Sequence, residues 1–180
     1  MKILLIGNPN VGKSVIFSRL TGAHVIAANY PGTTVELIKG TMKVAEKYFQ
    51  IIDVPGTYSL EPTSKAEGVT VKLVHDADVL VNVIDATNLE RNLYLTLEII
   101  KAVKKPLVLV LNMWDETKHK GVEIDRQRLE KILGVPVVAT CGLTGEGVKQ
   151  LVEAILQARA SPLKNAGESI WTEMGEIIQQ

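Results

Sequence analysis

The fold of this 180-residue chain is decided by the stretch Gly7-Asn8-Pro9-Asn10-Val11-Gly12-Lys13-Ser14. It follows the apolar run 2–6 and precedes residues 15–20, which are typical of a helix. In this context the glycines let backbone N–H groups surround phosphate oxygens at a helix N-terminus. Lys13 reaches the outer phosphates and Ser14 offers a hydroxyl to Mg²⁺. The motif therefore predicts a P-loop with a nucleoside triphosphate as ligand, rather than an ordinary tight turn.

Composition and charge exclude several classes of protein. Lys and Arg total 20, as do Asp and Glu, so no global positive field attracts nucleic acid or anionic lipid. The single cysteine, Cys141, excludes an internal disulfide and fits a reducing, cytosolic setting. The longest apolar runs, 78–86 and 106–113, are far shorter than the roughly 20 residues that span a bilayer. We expect them to be buried strands of one soluble domain.

The hydrophobic pattern predicts a three-layer α/β fold with a mostly parallel, six-stranded sheet flanked by helices. Six segments are predicted as strands: 2–6, 35–44, 47–52, 78–85, 106–111 and 135–139. Five are predicted as helices: 15–20, 66–74, 89–103, 126–133 and 148–158. Residues 21–34 are small and turn-forming, which predicts a loop beside the phosphates.

A second motif, Asp53-Val54-Pro55-Gly56, stands at the end of a predicted strand. There Asp53 can hold Mg²⁺ through water, and the Gly56 N–H can meet a γ-phosphate oxygen. An Asp-x-x-Gly match alone means little, because about one is expected by chance in a chain of this length. Its position at a strand end, downstream of a P-loop, makes it informative.

Two further loops predict that the base is guanine. After strand 106–111, Asn112-Met113-Trp114-Asp115 places a carboxylate that can accept hydrogen bonds from guanine N1 and the 2-amino group. Adenine leaves that carboxylate unpaired, so Asp115 selects GTP over ATP by several kcal/mol. Asn112 is expected to tie its loop to the P-loop, and N–H groups of residues 140–147 to hold guanine O6. The alternative is a strand-end asparagine followed by an exposed aspartate.

These motifs together resemble the translation-factor-like branch of P-loop GTPases, over residues 1 to about 160. The five nucleotide motifs of that branch occur in its order, at residues 7–14, 34, 53–56, 112–115 and 140–142. Within the branch, the P-loop, Asn29-Tyr30-Pro31-Gly32-Thr33-Thr34-Val35-Glu36 and Asp53-Val54-Pro55-Gly56-Thr57-Tyr58-Ser59-Leu60 resemble the ferrous iron transport protein B (FeoB) family. The last two stretches are specific to it.

Four positions depart from the family pattern. Tyr30 stands where the family usually has Trp, and Thr33 where it has an aliphatic residue. In the last motif, Cys141 replaces the usual Ser and Gly142 the usual Ala. None of the four removes a predicted phosphate contact.

The resemblance implies the domain organisation and the partners. Residues 1–160 would form a small GTPase-like G domain, and residues 161–180 a linker with the start of a truncated helical spacer. In the family, this domain lies at the cytoplasmic face of the inner membrane and is followed by a transmembrane transport domain of the same chain. Guanine nucleotide is the expected small partner, a homo-oligomer is left open, and no nucleic acid is expected.

The resemblance also implies a set of site residues. Guanine nucleotide contacts are expected from Asn8, Asn10, Val11, Gly12, Lys13, Ser14, Val15, Thr33, Thr34, Asp53, Gly56, Asn112, Met113, Asp115, Thr140, Cys141 and Gly142. Mg²⁺ is expected on Ser14, Thr34 and, through water, Asp53. Catalytic roles are expected for Lys13, Asn10, Thr34 and Gly56.

Two features predict slow unaided turnover. Thr57 occupies the place where many GTPases have a water-orienting Gln, and no Arg lies between Gly22 and Gly40 to neutralise the transition state. The resemblance implies a substitute, because the family uses the P-loop asparagine, here Asn10, to hold K⁺ with carbonyls of residues 28–30. The alternative is that Asn10 only braces the loop.

The leading hypothesis is a GTPase switch whose loops 23–34 and 56–64 reorder with the γ-phosphate. Two alternatives are an RNA- or ribosome-directed GTPase of the Era or Der kind, and a GTP sensor with little hydrolysis. The three histidines are scattered without metal-ligand spacing, so they are expected at surface or hydrogen-bonded positions rather than on iron: His24, His75 and His119.

Overall fold

A central β-sheet carries helices on both faces in this computed structural model, which describes residues 1–22, 25–163 and 178–179. The strands are β1 Lys2–Gly7, β2 Val25–Asn29, β3 Glu36–Val44, β4 Lys47–Asp53, β5 Val79–Asp85, β6 Pro106–Asn112, β7 Glu123–Ile124, β8 Val137–Ala139, β9 Arg159–Ala160 and β10 Ile178–Gln179. The helices are α1 Lys13–Thr21, α2 Lys65–Asp76, α3 Leu89–Ala102, α4 Trp114–His119, α5 Arg126–Leu133 and α6 Val148–Leu156.

The main sheet has the strand order β2-β3-β4-β1-β5-β6-β8, and β9 pairs with β6. Strands β4, β1, β5, β6 and β8 run parallel to one another, whereas β2, β3 and β9 pair antiparallel. The predicted fold class, a mostly parallel sheet flanked by helices, is confirmed. The predicted count of six strands is too low, because β2 and β9 bring the sheet to eight.

Alternation along β1 explains the two apolar layers. Leu4 and Ile6 pack with buried residues of α2, α3 and α5, whereas Ile3 and Leu5 pack on the opposite face with those of α1 and α6. Side chains two residues apart in a strand share a face, so one short strand supports both layers. Strands β5 and β6 are buried almost throughout, as expected of parallel strands covered on both faces.

One local prediction was wrong, and one short helix was missed. Residues 25–29 form β2 rather than a loop, and each pairs antiparallel with a residue of 36–40. This strand lies at the edge of the sheet and its residues are mostly exposed, so its sequence lacks the apolar alternation of a half-buried strand. Helix α4 was not predicted, because its six residues are too few to show a helical period.

The described residues run without a break from 25 to 163 and resume at β10. Strand β10 pairs with β7 in a separate two-stranded sheet. Most of the predicted linker and spacer, 161–180, therefore lies outside the described residues, as do Ala23 and His24. Across the described ranges, no helix is both long and apolar enough to cross a membrane.

The buried side chain of Asn82 connects three elements, β5, β1 and α3. Asn82 Nδ2 on β5 donates to the Ile6 carbonyl of β1 at 3.3 Å, and Asn82 Oδ1 accepts from Thr96 Oγ1 of α3 at 2.6 Å. Both polar side chains have no exposed surface. A buried polar group must keep its hydrogen bond or lose stability.

The Asn82 contact generates a stability prediction. Replacing Thr96 by Val keeps the side-chain shape but leaves Asn82 Oδ1 without its donor, so we expect the free energy of unfolding to fall by about 1–3 kcal/mol. Urea denaturation followed by circular dichroism measures it. Thr41→Val, at an exposed position of β3, is the control and should change the value by less than about 0.5 kcal/mol. Equal midpoints for both variants would contradict the prediction.

Candidate nucleotide site

Four of the five predicted motifs meet at one edge of the sheet. The P-loop follows β1, Asp53 ends β4, Asn112 ends β6, and residues 140–142 follow β8. These strands are parallel, so their carboxyl ends lie on the same edge. In open α/β sheets this edge is where ligands bind.

The P-loop backbone requires its second glycine. Gly12 has a φ of +80°, and a Cβ there would lie 2.3 Å from Asn112 Nδ2. Asn10 is exposed and also adopts a positive φ, 65°. Helix α1 begins directly after this turn, with Val15 and Ile16 N–H groups donating to the Gly12 carbonyl at 3.1 Å. The N–H groups of a first helical turn have no partner within the helix, so they suit an anion.

Lys13, Ser14 and Asp53 form a polar cluster at the start of α1. Lys13 Nζ donates to Asp53 Oδ1 and to the Val54 carbonyl. Ser14 Oγ donates to Asp53 Oδ2 at 3.2 Å, and Asp53 is only 5% exposed. Hydroxyl and carboxylate oxygens suit a hard divalent cation such as Mg²⁺.

The cluster is too small to hold such an ion by itself. Among the described residues, no group of three or more His, Cys, Asp and Glu side chains could bind a metal. Mg²⁺ usually keeps several waters and takes phosphate oxygens as ligands. The donor set therefore fits Mg²⁺ only together with a phosphate chain. His75 and His119 are exposed, as predicted.

The segment after Asp53 lies against the P-loop. A Cβ on Gly56 would lie 2.9 Å from Pro9 Cα, so only glycine fits there, and the Thr57 N–H donates to the Gly7 carbonyl at 3.0 Å. Asn8 is 4% exposed, and within the described chain its Oδ1 has no hydrogen-bond partner. Residues 56–57 and the P-loop therefore share one packed boundary.

Hydrogen bonds also order the segment between Gly56 and α2. Glu67 accepts from Thr63 Oγ1 at 2.6 Å and from the Thr63 N–H at 2.7 Å. The single proton of Thr57 Oγ1 goes mainly to the Ser59 carbonyl at 2.7 Å and is shared with Glu67 at 3.3 Å. These bonds, those from Thr63 foremost, hold the pKa of Glu67 below its ordinary value. The ionised carboxylate is thus the form that ties residues 57–63 to α2, and protonation in acid weakens the tie.

The side chain of Asn112 joins three loops. Its Nδ2 donates to the Val11 carbonyl of the P-loop at 2.9 Å. Its Oδ1 accepts from Thr140 Oγ1 at 3.1 Å and from the Gly142 N–H at 3.0 Å. Asn112 and Thr140 are buried, so these bonds form in a site largely closed to water. The first bond is the tie to the P-loop that the sequence led us to expect.

Asp115 lies in the first turn of α4 and is partly exposed. The preceding turn depends on Met113, whose φ of 59° is unusual for a residue other than glycine. The Trp114 N–H donates to the Thr140 carbonyl at 3.1 Å, which fixes α4 against the last motif. The structure therefore brings the first residue of α4, next to Asp115, against Thr140.

The loop 140–147 differs in part from the expectation. The Cys141 N–H donates to the Glu146 carbonyl at 3.1 Å, and the Gly142 N–H is held by Asn112. Either group must share or exchange its acceptor to reach guanine O6. Arg19 of α1 donates from Nε to the Gly142 carbonyl at 2.9 Å. Sequence analysis missed Arg19, because nothing in the sequence distinguishes an arginine that contacts this loop from any other arginine on an exposed helix face.

The fifth motif, Thr34, makes no hydrogen bond to the other four motifs within the described residues. Tyr30 accepts hydrogen bonds at its carbonyl from the Thr33 N–H at 3.0 Å and from Thr33 Oγ1 at 2.9 Å, which closes the turn between β2 and β3. Thr34 is exposed, and within the described residues no hydrogen bond joins it to the P-loop. Among the residues that the structure describes, neither Thr33 nor Thr34 makes a hydrogen bond to Lys13 or Ser14. Val15 is 38% exposed and lies near Gly142.

Comparison with known proteins agrees with the geometry. A family model described as ferrous iron transport protein B matches residues 1–155. The chain belongs to this family. It is 43% identical over 159 residues to the Fe(2+) transport protein A/Fe(2+) transporter FeoB fusion protein of Porphyromonas gingivalis, covering 87% of this chain and 19% of the relative.

Two solved FeoB structures share the fold. The cytosolic domain of L. pneumophila FeoB is 38% identical with a TM-score of 0.86, over 94% of this chain and 69% of that one. A GDP-bound point mutant of the S. thermophilus FeoB G-domain is 41% identical with a TM-score of 0.83, over 93% of this chain and 64% of that one. The chain spans only about a fifth of the curated relatives, 19% and 22% of the first two.

Proposed function

We propose that this chain is the GTP-binding and GTP-hydrolysing regulatory domain of a ferrous iron transporter. Its FeoB relatives are named as Fe(2+) transporters, and the S. thermophilus G-domain structure contains GDP. In this proposal residues 1–160 form the G domain at the cytoplasmic face of the membrane. Residues 161–180 lead through a helical spacer to the transport domain of the same full-length chain.

One observation carries the nucleotide-binding part of the proposal. The Asn112 amide connects the phosphate-binding loop to the two loops that would read guanine. A ligand that contacts both ends of this arrangement needs a phosphate chain at one end and a base at the other. GTP and GDP meet that requirement, with Asp115 accepting from guanine N1 and the 2-amino group.

Binding the phosphate chain exchanges one partner of Lys13 for another. Lys13 forms an ion pair with Asp53. When the nucleotide binds, Lys13 Nζ would leave that carboxylate for the outer phosphate oxygens. Ser14 and, through water, Asp53 would then hold Mg²⁺, whose charge offsets that of the phosphates. The P-loop N–H groups, from Val11 to Val15, supply the remaining contacts.

Completing the Mg²⁺ site requires movement of the β2–β3 turn. Thr34 is exposed and makes no hydrogen bond to the P-loop within the described residues, so we expect residues 30–35 to move inward when Thr34 binds the metal. Gly56 already lies against Pro9, ready for its N–H to meet a γ-phosphate oxygen. The two segments, 23–34 and 56–64, are the proposed switch loops, ordered by the γ-phosphate and relaxed after hydrolysis.

The protein's own groups leave the attacking water poorly oriented. Thr57 is 1% exposed, and its Oγ1 donates to the Ser59 carbonyl at 2.7 Å, so this side chain is engaged in the loop rather than presented to a water. We therefore propose slow unaided turnover, raised by K⁺ bound at Asn10. Both bonds to the Tyr30 carbonyl must open before that oxygen can help to hold K⁺.

The guanine part of the proposal is tested by Asp115→Ala. Loss of a charged acceptor for two hydrogen bonds should weaken GDP binding by about 100-fold and reduce the preference for GDP over ADP. Isothermal titration with Mg²⁺ present measures both. The matched control is Glu116→Ala, an exposed carboxylate on the same helix, which should leave GDP affinity within about twofold of the unmodified chain. Equal affinities for both variants would contradict the proposal.

The catalytic part is tested by phosphate release in equal concentrations of K⁺ and Na⁺. We expect faster turnover in K⁺, and Asn10→Ala should abolish the difference while GDP still binds, because the side-chain oxygen that holds the ion is gone. Turnover that is equal in the two salts would reject the K⁺ site. Stoichiometric GTP binding without phosphate release in either salt would indicate the GTP sensor instead.

A further inference from the structure

An arginine on α1 holds the loop that would read the guanine base. Arg19 donates from Nε to the Gly142 carbonyl at 2.9 Å and from Nη2 to the next carbonyl, that of Leu143. The planar guanidinium has several donors in a fixed fork, so it can hold two successive carbonyls at once.

The same loop, residues 140–147, contains glycines, which can adopt many backbone conformations when the loop is not held in place. Gly145 and Gly147 adopt positive φ values of 87° and 79°, and Leu143 is 80% exposed. A loop with several glycines loses more entropy on ordering than one without them. A Cβ on Gly145 would lie 3.4 Å from Arg19 Nη1, so the guanidinium also packs against the far side of the loop.

Arg19 and the phosphate-binding residues share one helix. Lys13 is the first residue of α1, and Arg19 follows about 9 Å along its axis. Asn112 holds the Gly142 N–H from the side of β6, while Arg19 holds the Gly142 carbonyl from α1. The peptide groups at Gly142 are therefore fixed from two directions by the protein itself.

We propose that Arg19 is a positioning residue that slows release of guanine nucleotide by keeping the base-reading loop, residues 140–147, in its binding conformation. This inference rests on the proposed function, since it needs a bound guanine nucleotide. Preordering a loop reduces the entropy lost on binding, and related complexes differ in affinity mainly through their dissociation rates. Arg19 contacts the loop rather than the base, so it acts on GTP and GDP alike.

The test measures dissociation of fluorescent GDP from this 180-residue chain and its variants with Mg²⁺ present. Arg19→Gln removes the charged fork, and we expect the dissociation rate to rise about 3- to 10-fold, the value of one or two hydrogen bonds. Arg19→Lys keeps the charge but loses the planar fork that spans two successive carbonyls, so it should give a smaller rise. The association rate should stay within about twofold of the unmodified chain.

Arg128→Gln on α5 is the matched control, because it removes one arginine elsewhere and should leave GDP dissociation unchanged. A purely structural role for Arg19 would lower the melting temperature of the nucleotide-free chain without changing dissociation. That result, or unchanged dissociation from both Arg19 variants, would overturn the inference. An effect on a non-hydrolysable GTP analogue but not on GDP would overturn it as well.

The outcome separates the inference from the proposed function. If the unmodified chain binds GDP and the Arg19 variants release it at the same rate, only the role of Arg19 is wrong. If the unmodified chain takes up no guanine nucleotide, the proposed function is wrong and the inference with it.

Discussion

The arrangement of the candidate site depends on the buried amide of Asn112. Its three hydrogen bonds reach Val11 in the P-loop, Thr140 and Gly142. A single asparagine thus fixes the distance between the loop that suits phosphate and the loops that suit a base. Removing a buried partner of this kind leaves the remaining polar groups unpaired, which costs more than the bond itself contributes.

This constraint explains other features of the sequence. Gly12 must lack a side chain because a Cβ would collide with Asn112 Nδ2. The strand order places β6 two positions from β1, with β5 between them, so an asparagine at the end of β6 reaches across the top of β5 to the P-loop. Asn82 on β5 makes a separate connection, to Ile6 of β1 and to Thr96 of α3. On the base side of the site, hydrogen bonds from Asn112 thus connect three loops directly. None of these bonds reaches the segments 30–34 and 56–64.

The parts of the fold that were predictable are those in which buried side chains dominate the sequence. Strands β1, β5 and β6 are nearly continuous apolar runs, and the glycines and polar residues at their ends mark the motifs. Strand β2 escaped prediction because its pairing with β3 depends on backbone hydrogen bonds, which leave no mark in side-chain polarity. Helix α4 depends on the left-handed turn at Met113, a residue that does not signal such a conformation.

The candidate site also has a part that the sequence predicts and a part that it does not. Lys13, Ser14 and Asp53 cluster because the motifs that contain them follow adjacent strands. The hydrogen bonds that occupy the N–H groups of Cys141 and Gly142, and the contact from Arg19, join residues far apart in the chain or across a loop. Such contacts depend on how helices and loops pack against one another, so no local sequence pattern predicts them. The conformation at Thr34 likewise depends on the neighbouring turn that Thr33 closes on the Tyr30 carbonyl.

The central claim is that one guanine nucleotide is held at both ends by loops that Asn112 connects. Isothermal titration of the unmodified chain with GDP and then with ADP, both with Mg²⁺, tests it most directly. The account predicts saturable binding of GDP at one site per chain and far weaker binding of ADP. Equal or tighter binding of ADP, or no heat of binding with either nucleotide, would contradict it.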